Sequence, residues 1–201
     1  MKNNYIIVGD SITYGIGDMS GNGWSSMFKE KIKGKDDTIT CTNLVHIVGF
    51  PGGTSDTIVN RIEEIIKLYC NDDMENVLIL SIGINDSHVV YGSYKVELEK
   101  YNKNVHRIIE ECKENNIKII ILGLTRLFAH EKLVWRPEKY FTNSDVEKYD
   151  TELEGICRKC GVKYISLKEV LQENDIIDGL HPSSSGHKKI FKKVYDEICD
   201  E

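Results

Sequence analysis

The chain has 201 residues, 40 % hydrophobic and 29 % charged, with 26 Lys and Arg against 32 Asp and Glu for a formal net charge of −6. That is enough apolar material for one globular core burying roughly 70 % of the unfolded surface, so neither a disulfide nor a metal is needed to hold it. The acidic balance argues against a phosphate-backbone binder, and no nucleic-acid partner is expected.

No apolar run approaches the roughly 18 residues of a membrane span, and "MKNNYIIVGD" lacks the apolar segment and cleavage site of a secretory leader. The expectation is a cytoplasmic protein forming one domain over residues 1–201.

The first strand-like run, Tyr5 to Val8, passes directly into Gly9, Asp10 and Ser11. Gly-Asp-Ser is good turn chemistry, but it is also a place to display a reactive hydroxyl. Trp24 is expected to pack the first helix. A second strand, Leu44 to Val48, runs into "GFPGGTSD", and a helical face carries Ile58, Ile62, Ile65, Ile66 and Tyr69. A third strand, Val77 to Ile82, leads into "SIGINDSH".

Next comes a helical face with Tyr94, Leu98, Tyr101, Val105, Ile108, Ile109 and Cys112. A fourth strand, Ile117 to Leu122, opens the longest irregular stretch, Gly123 to Phe141, a length that is usually functional or mobile. Val146, Tyr149, Leu153 and Ile156 mark a helix stopped by Gly161, ahead of a fifth strand, Val162 to Ile165. After Pro182 a last helix spaces Ile190, Val194 and Ile198 by four, with Lys188, Lys189, Lys192 and Lys193 as its solvated side.

The strands are short, β-branched and apolar without strict alternation, as in strands covered on both faces. Alternating with helices, they predict an α/β fold with a parallel sheet of about five strands between two helical layers. Ligands bind such sheets outside the carboxyl ends of the strands, where the glycine-rich and polar loops gather here.

Six cysteines in a chain with no sign of secretion read as reduced thiols. Cys157 and Cys160 fall beside a helix's apolar stripe and read as core, with a redox centre as rival; no second ligand pair for zinc is evident. A serine nucleophile needs a base, and the base an orienting acceptor. "DGLHPSSSGH" places Asp178 and His181 three apart, which suits either a structural hydrogen-bonded pair or a catalytic one.

Acyl transfer also needs donors for an oxyanion. Gly52 or Gly53 offers a backbone N–H, and Asn85 a side-chain amide. Asp10 and Asp86 read as groups that fix their own loops, and His187 as a helix-surface residue. His88 and His130 lie in loops at the same edge, and the 123–141 segment carries Arg126, Phe128, Trp135, Arg136 and Tyr140; these either wall a pocket or pack among themselves. Gly-x-Ser-x-Gly, Walker-A and His-Glu-x-x-His patterns are missing, and Gly15-x-Gly17 meets Ser20 where a dinucleotide loop wants a third glycine. No metal or cofactor is expected.

Taken together, Gly9-Asp10-Ser11, a glycine within "PGGTS", Gly83-Ile84-Asn85-Asp86 and Asp178-Gly179-Leu180-His181-Pro182 resemble the four blocks of the SGNH (GDSL-type) hydrolases, in the family's order and across nearly the whole chain. The resemblance implies a three-layer, flavodoxin-like α/β/α fold. It implies Ser11 as nucleophile, His181 as general base and then acid, and Asp178 as its orienting partner. It also implies an oxyanion hole of the Ser11 N–H, the Gly52 N–H and the Asn85 amide.

The second block departs from the family's usual Ser-Gly-Asp-Thr; alignment on Thr54 selects Gly52 and leaves Gly53 open. The implied partner is a small-molecule acyl ester or an acylated carbohydrate, with short-chain or O-acetyl esters favoured because no extended apolar lid is evident. Asp10, His88, Phe128 and Trp135 are the candidate substrate contacts. Rival readings are an acyltransferase using the same site and a non-catalytic binding module on the same fold.

Overall fold

A computed structural model describes residues 2–33, 43–129, 132–136 and 138–199. In chain order the elements are β1 (Asn3–Gly9), α1 (Ser11–Tyr14), α2 (Gly23–Lys33), β2 (Leu44–Gly49), α3 (Ser55–Val59), α4 (Ile62–Tyr69), β3 (Glu75–Ser81), β4 (Val89–Val90), β5 (Ser93–Tyr94), α5 (Leu98–Glu114), β6 (Lys118–Leu122), β7 (Leu133–Arg136), β8 (Lys139–Phe141), α6 (Asn143–Cys160), β9 (Lys163–Ile165) and α7 (Ser184–Cys199).

Among the described residues, five parallel strands form the central sheet in the order β2-β1-β3-β6-β9. Counting those five alone, the order is the flavodoxin-like 2-1-3-4-5, which reverses direction between β1 and β3 and opens a crevice at their carboxyl ends.

Burial follows the period-2 geometry of strands. Ile6, Val8, Leu78, Leu80, Ile119 and Ile121 face a core completed by α3, α4, α5 and α6. Tyr5, Ile7, Val77, Ile79, Ile120 and Leu122 face the opposite core, with Trp24 and Phe28 of α2 and Ile190 and Val194 of α7. The sheet is thus the middle of three layers, which is why its strands lack an apolar/polar alternation. No helix among the described residues is long and apolar enough to cross a membrane.

Three expectations about elements need correction. The apolar face from Ile58 to Tyr69 is not one helix: the chain turns at Asn60 and Arg61, and α3 is held separately through its N-terminal Ser55. Ile58, Ile62, Ile65 and Ile66 still reach one core, which is why their spacing looked continuous. Tyr94 precedes its helix; it pairs with Val89 in a strand, and its hydroxyl donates to Asp145 Oδ1 at 2.7 Å.

The 123–141 stretch is also not wholly irregular. Its end forms β7 and β8, which join β4 and β5 in an antiparallel four-stranded sheet, order β5-β4-β8-β7, against the edge of the site. Strands of two to four residues are too short to show a period and gain their bonds from a partner some 50 residues away in the chain.

Candidate active site

In-register pairing sets Gly9 beside Gly49 on one side and Ser81 on the other. The loops leaving these three neighbouring strand ends carry Ser11, Gly52 and Asn85. Asp10 starts α1 as its N-cap, its carboxylate accepting from the Ile12 N–H at 2.9 Å, so Ser11 is the first helical residue. Its N–H therefore has no intrahelical acceptor.

Ser11 Oγ lies 3.0 Å from His181 Nε2, across 170 residues of sequence. His181 Nδ1 lies 2.7 Å from Asp178 Oδ2, and Asp178 Oδ1 accepts from the backbone N–H groups of His181 (2.8 Å) and Leu180 (3.0 Å). A carboxylate can only accept, so Nδ1 carries the proton and Nε2 presents its lone pair to the serine hydroxyl. Burial works to raise the Asp178 carboxyl's affinity for protons, but the bonds from His181 and Leu180 outweigh it and hold the group below the usual carboxylate range. Ser11 and His181 are 5 % and 7 % exposed, a setting that strengthens such contacts.

In the second loop the Gly53 N–H donates to Phe50 O at 2.7 Å, which engages it in the turn. Gly52 has φ +73°, in the left-handed region that a side chain disfavours, and its N–H takes part in no hydrogen bond among the described residues. Asn85 Nδ2 donates to Gly53 O at 3.0 Å, leaving its second amide hydrogen. Asp86, fully buried, accepts from the Ser55 N–H and its hydroxyl (3.0 and 2.5 Å), tying the second and third loops together. Burial pushes the Asp86 carboxyl up to about 7 against those bonds, with the Asp10 and Asp56 charges adding to the rise. Burial also pushes Asp10 up to about 6, against the Ile12 N–H and the His181 ring.

The residues expected to touch substrate divide. Trp135, half exposed, lies over His181 with ring centroids 6.2 Å apart and planes 28° apart. His88 is buried and stacked on Phe141 at 4.1 Å, with Trp135 edge-on to both rings. Burial, with Lys95 and Lys139 nearby, takes the His88 imidazole down to about 4, so it is neutral. Phe128 packs its ring on the core beside α7, and its N–H donates to Gly179 O at 2.8 Å, bracing the loop before His181. Asp10 bonds its own loop. His130 lies outside the described residues.

Two further histidine and cysteine expectations are decided by burial. His187 is not on the helix surface: it is completely buried. Its Nε2 faces Ile16 O at 3.0 Å, and its Nδ1 receives the Trp24 N–H at 3.2 Å. A carbonyl only accepts and an N–H only donates, so the ring is fixed as the neutral Nε2–H tautomer, and burial lowers its affinity for a proton accordingly. A signal was available, because His187, Ile190, Val194 and Ile198 form one helical stripe. Cys157 is core, its thiol pushed up to about 12 by burial, while Cys160 is half-buried with Sγ 3.6 Å from His106 Nδ1.

The loop after α1 and the start of α7 are joined at further points. Ser184 Oγ donates to Asp18 Oδ1 at 2.5 Å, and that bond leads in drawing the Asp18 carboxyl down to about 2. Gly17, at φ +100°, passes so close to Pro182 that a Cβ would lie 2.1 Å from the Pro182 carbonyl oxygen. These contacts hold the serine loop against the histidine loop.

With this geometry in view, the comparisons with known proteins decide the family. The profile of the GDSL-like Lipase/Acylhydrolase family matches residues 7–189. The chain belongs to that family.

A curated relative, a multidomain esterase from Ruminococcus flavefaciens, is 24 % identical over 225 residues; the match takes in 95 % of this chain but only 28 % of that protein's length. An acetylxylan esterase from Geobacillus stearothermophilus superposes with a TM-score of 0.74 at 19 % identity, over 98 % of this chain and 94 % of the other. A member of the lipolytic G-D-S-L family from Veillonella parvula gives a TM-score of 0.74 at 19 % identity, over 99 % of each chain. The three-layer α/β/α architecture is therefore that of the SGNH hydrolases.

Proposed function

We propose that the protein is a serine esterase that removes short acyl groups, acetyl above all, from small alcohols or carbohydrates through an acyl-enzyme. Ser11 Oγ attacks the ester carbonyl carbon while its proton passes to His181 Nε2. Asp178 holds the ring and offsets the imidazolium charge. The carbonyl oxygen becomes an oxyanion that takes hydrogen bonds from the Ser11 N–H, the Gly52 N–H and the Asn85 amide. His181 then gives its proton to the departing alcohol. Water adds by the same route, its proton going to His181 and back to Ser11, and the acid leaves.

The observation that carries the reading is the relay from Ser11 Oγ to His181 Nε2 (3.0 Å) and from His181 Nδ1 to Asp178 (2.7 Å). Gly52 is preferred to Gly53 because the Gly53 N–H is already engaged by Phe50 O. The acetyl preference draws support from the acetylxylan esterase that shares the fold, and from the half-exposed indole of Trp135 beside His181, which suits a sugar ring better than a long acyl chain.

The test is hydrolysis of p-nitrophenyl esters from acetate to palmitate, with labelling by a fluorophosphonate. Ser11→Ala should abolish labelling and lower turnover at least as far as Asn85→Ala, for which the loss is roughly 10²- to 10³-fold. Unimpaired acetate hydrolysis by Ser11→Ala would defeat the assignment, and a rate maximum at palmitate would defeat the acyl preference.

A further inference from the structure

The chain carries a formal net charge of −6, and many of its cations are matched locally: Lys100 with Asp56, Lys103 with Glu99, Lys189 with Asp175 and Lys193 with Glu197 lie 2.6 to 2.7 Å apart. The wall of the site built by the small antiparallel sheet is different. Lys95 follows β5, and its ammonium donates to Gly52 O at 3.4 Å, on the residue whose own N–H has no acceptor among the described residues. Lys139, paired in register with Val90, sets its ammonium 5.8 Å from the Tyr91 ring centroid. Neither lysine has a carboxylate within 4.0 Å among the described residues.

The Lys95 N–H donates to His88 O at 2.8 Å and Lys139 pairs with Val90, two residues on from His88, so both lysines share the His88 face of the small sheet, and His88 connects through Trp135 to His181. The carboxylates around them form no ion pair with either lysine among the described residues: Asp86, whose charge favours the Lys95 ammonium from a distance, is wholly buried and held by Ser55, Asp178 is held by His181, and Glu97 and Glu138 lie beyond 4.0 Å. Two unmatched cations beside the reacting centre of an acidic protein would draw in and hold an anion that the rest of the surface repels.

We propose that the substrate carries a carboxylate near its ester, as in an O-acetylated acidic sugar, and that Lys95 and Lys139 bind that carboxylate beside Ser11. The inference rests on the esterase reading above. It adds that a negative charge on the substrate is recognised rather than tolerated, and it makes Lys95 and Lys139 determinants of specificity.

The experiment compares kcat/KM for 4-acetoxybenzoate with that for its methyl ester, so that the acetyl group and ring are shared and only the charge differs. Using the ratio of the two cancels any general loss from disturbing the Gly52 turn. In the double variant Lys95→Gln, Lys139→Gln the anionic-to-neutral ratio is expected to fall about tenfold, whereas Lys95→Arg, Lys139→Arg keeps it within about twofold. In the unaltered protein the ratio should fall as salt rises from about 20 mM to about 0.5 M, because screening acts only on the charged ester. A ratio that neither the Gln variant nor salt changes overturns the proposal, as does an equal loss on both esters, which would make Lys95 only a support of the turn or a counter-charge to Asp86. Hydrolysis of the neutral ester with no charge preference sinks this inference alone. No hydrolysis of either ester, with no fluorophosphonate labelling, sinks the esterase reading and this inference with it.

Discussion

Two regions meet at Ser11 and His181, and they are built in different ways. On one side, the loop after α1 and the first turn of α2 are fastened to the start of α7 by the Gly17–Pro182 contact, the Asp18–Ser184 bond and the two ring nitrogens of a buried His187, one to Ile16 and one to Trp24. On the other side, the small sheet meets the site with an aromatic cluster of His88, Phe141 and the half-exposed Trp135, flanked by exposed Tyr91 and Val134.

The fastened side uses directional bonds between groups that cannot move without leaving a buried partner unsatisfied. The sheet side uses ring contacts that tolerate rearrangement. The proposed reaction asks that a hydroxyl and an imidazole be held to within tenths of an ångström, whereas a wall proposed to meet substrate need only offer surface.

The contrast can be broken most severely at His187. Its replacement by Ala leaves Ile16 O and the Trp24 N–H without their partner and opens a cavity. An expected loss of about 3 to 5 kcal/mol, read by denaturant unfolding, should be accompanied by slower fluorophosphonate labelling of Ser11. His187→Gln, which can still donate to Ile16 O, should recover part of both. A loss below about 1 kcal/mol would mean that the fastening is not what holds the relay.

Gly17→Ala comes next, with about 2 to 4 kcal/mol expected from the left-handed backbone and the close approach to Pro182 O, again with impaired labelling.

A third experiment is read in pH. Asp86 and Asp10 bind a proton more tightly folded, at about 7 and about 6, than as unfolded chain at about 3.9. The stability this contributes is present below about pH 4 and is lost as pH rises through the folded values. Asp86→Asn, which keeps an acceptor for Ser55 without the charge, should therefore show a smaller fall in Tm between pH 5 and pH 8 than the parent, by at least about 2 °C. An identical fall would place the Asp86 proton elsewhere.

The smallest effect on stability is expected on the sheet side. Trp135→Ala should change unfolding free energy by less than about 1 kcal/mol yet raise KM for an acetylated sugar roughly three- to tenfold. A large loss of stability there would erase the distinction between the two sides.

Much of the molecule could be read locally. The five apolar runs became the five central strands because a strand covered on both faces needs only its own composition to declare itself. Gly161 stops its helix in the left-handed conformation, as its place after the stripe of Val146, Tyr149, Leu153 and Ile156 suggested. The candidate site was legible as a set of turn-forming residues after successive strands.

What local sequence could not convey is anything whose cause lies in a distant segment. Tyr94 looked helical until its pairing with Val89 and its bond to Asp145 placed it in a strand. Residues 133–136 and 139–141 became strands through pairing with each other and with the distant β4. His187 stood among lysines, and only the arrival of Ile16 and Trp24 against its ring made it a buried tie. Residue order determined the strands, the helical stripes and which side chains end each strand, since those depend on periods of two and of 3.6 along one chain. Tertiary structure alone decided that Ser11 and His181 come within 3.0 Å, and which polar groups are buried and thereby shifted, because both depend on desolvation and hydrogen bonds supplied by segments up to 170 residues away.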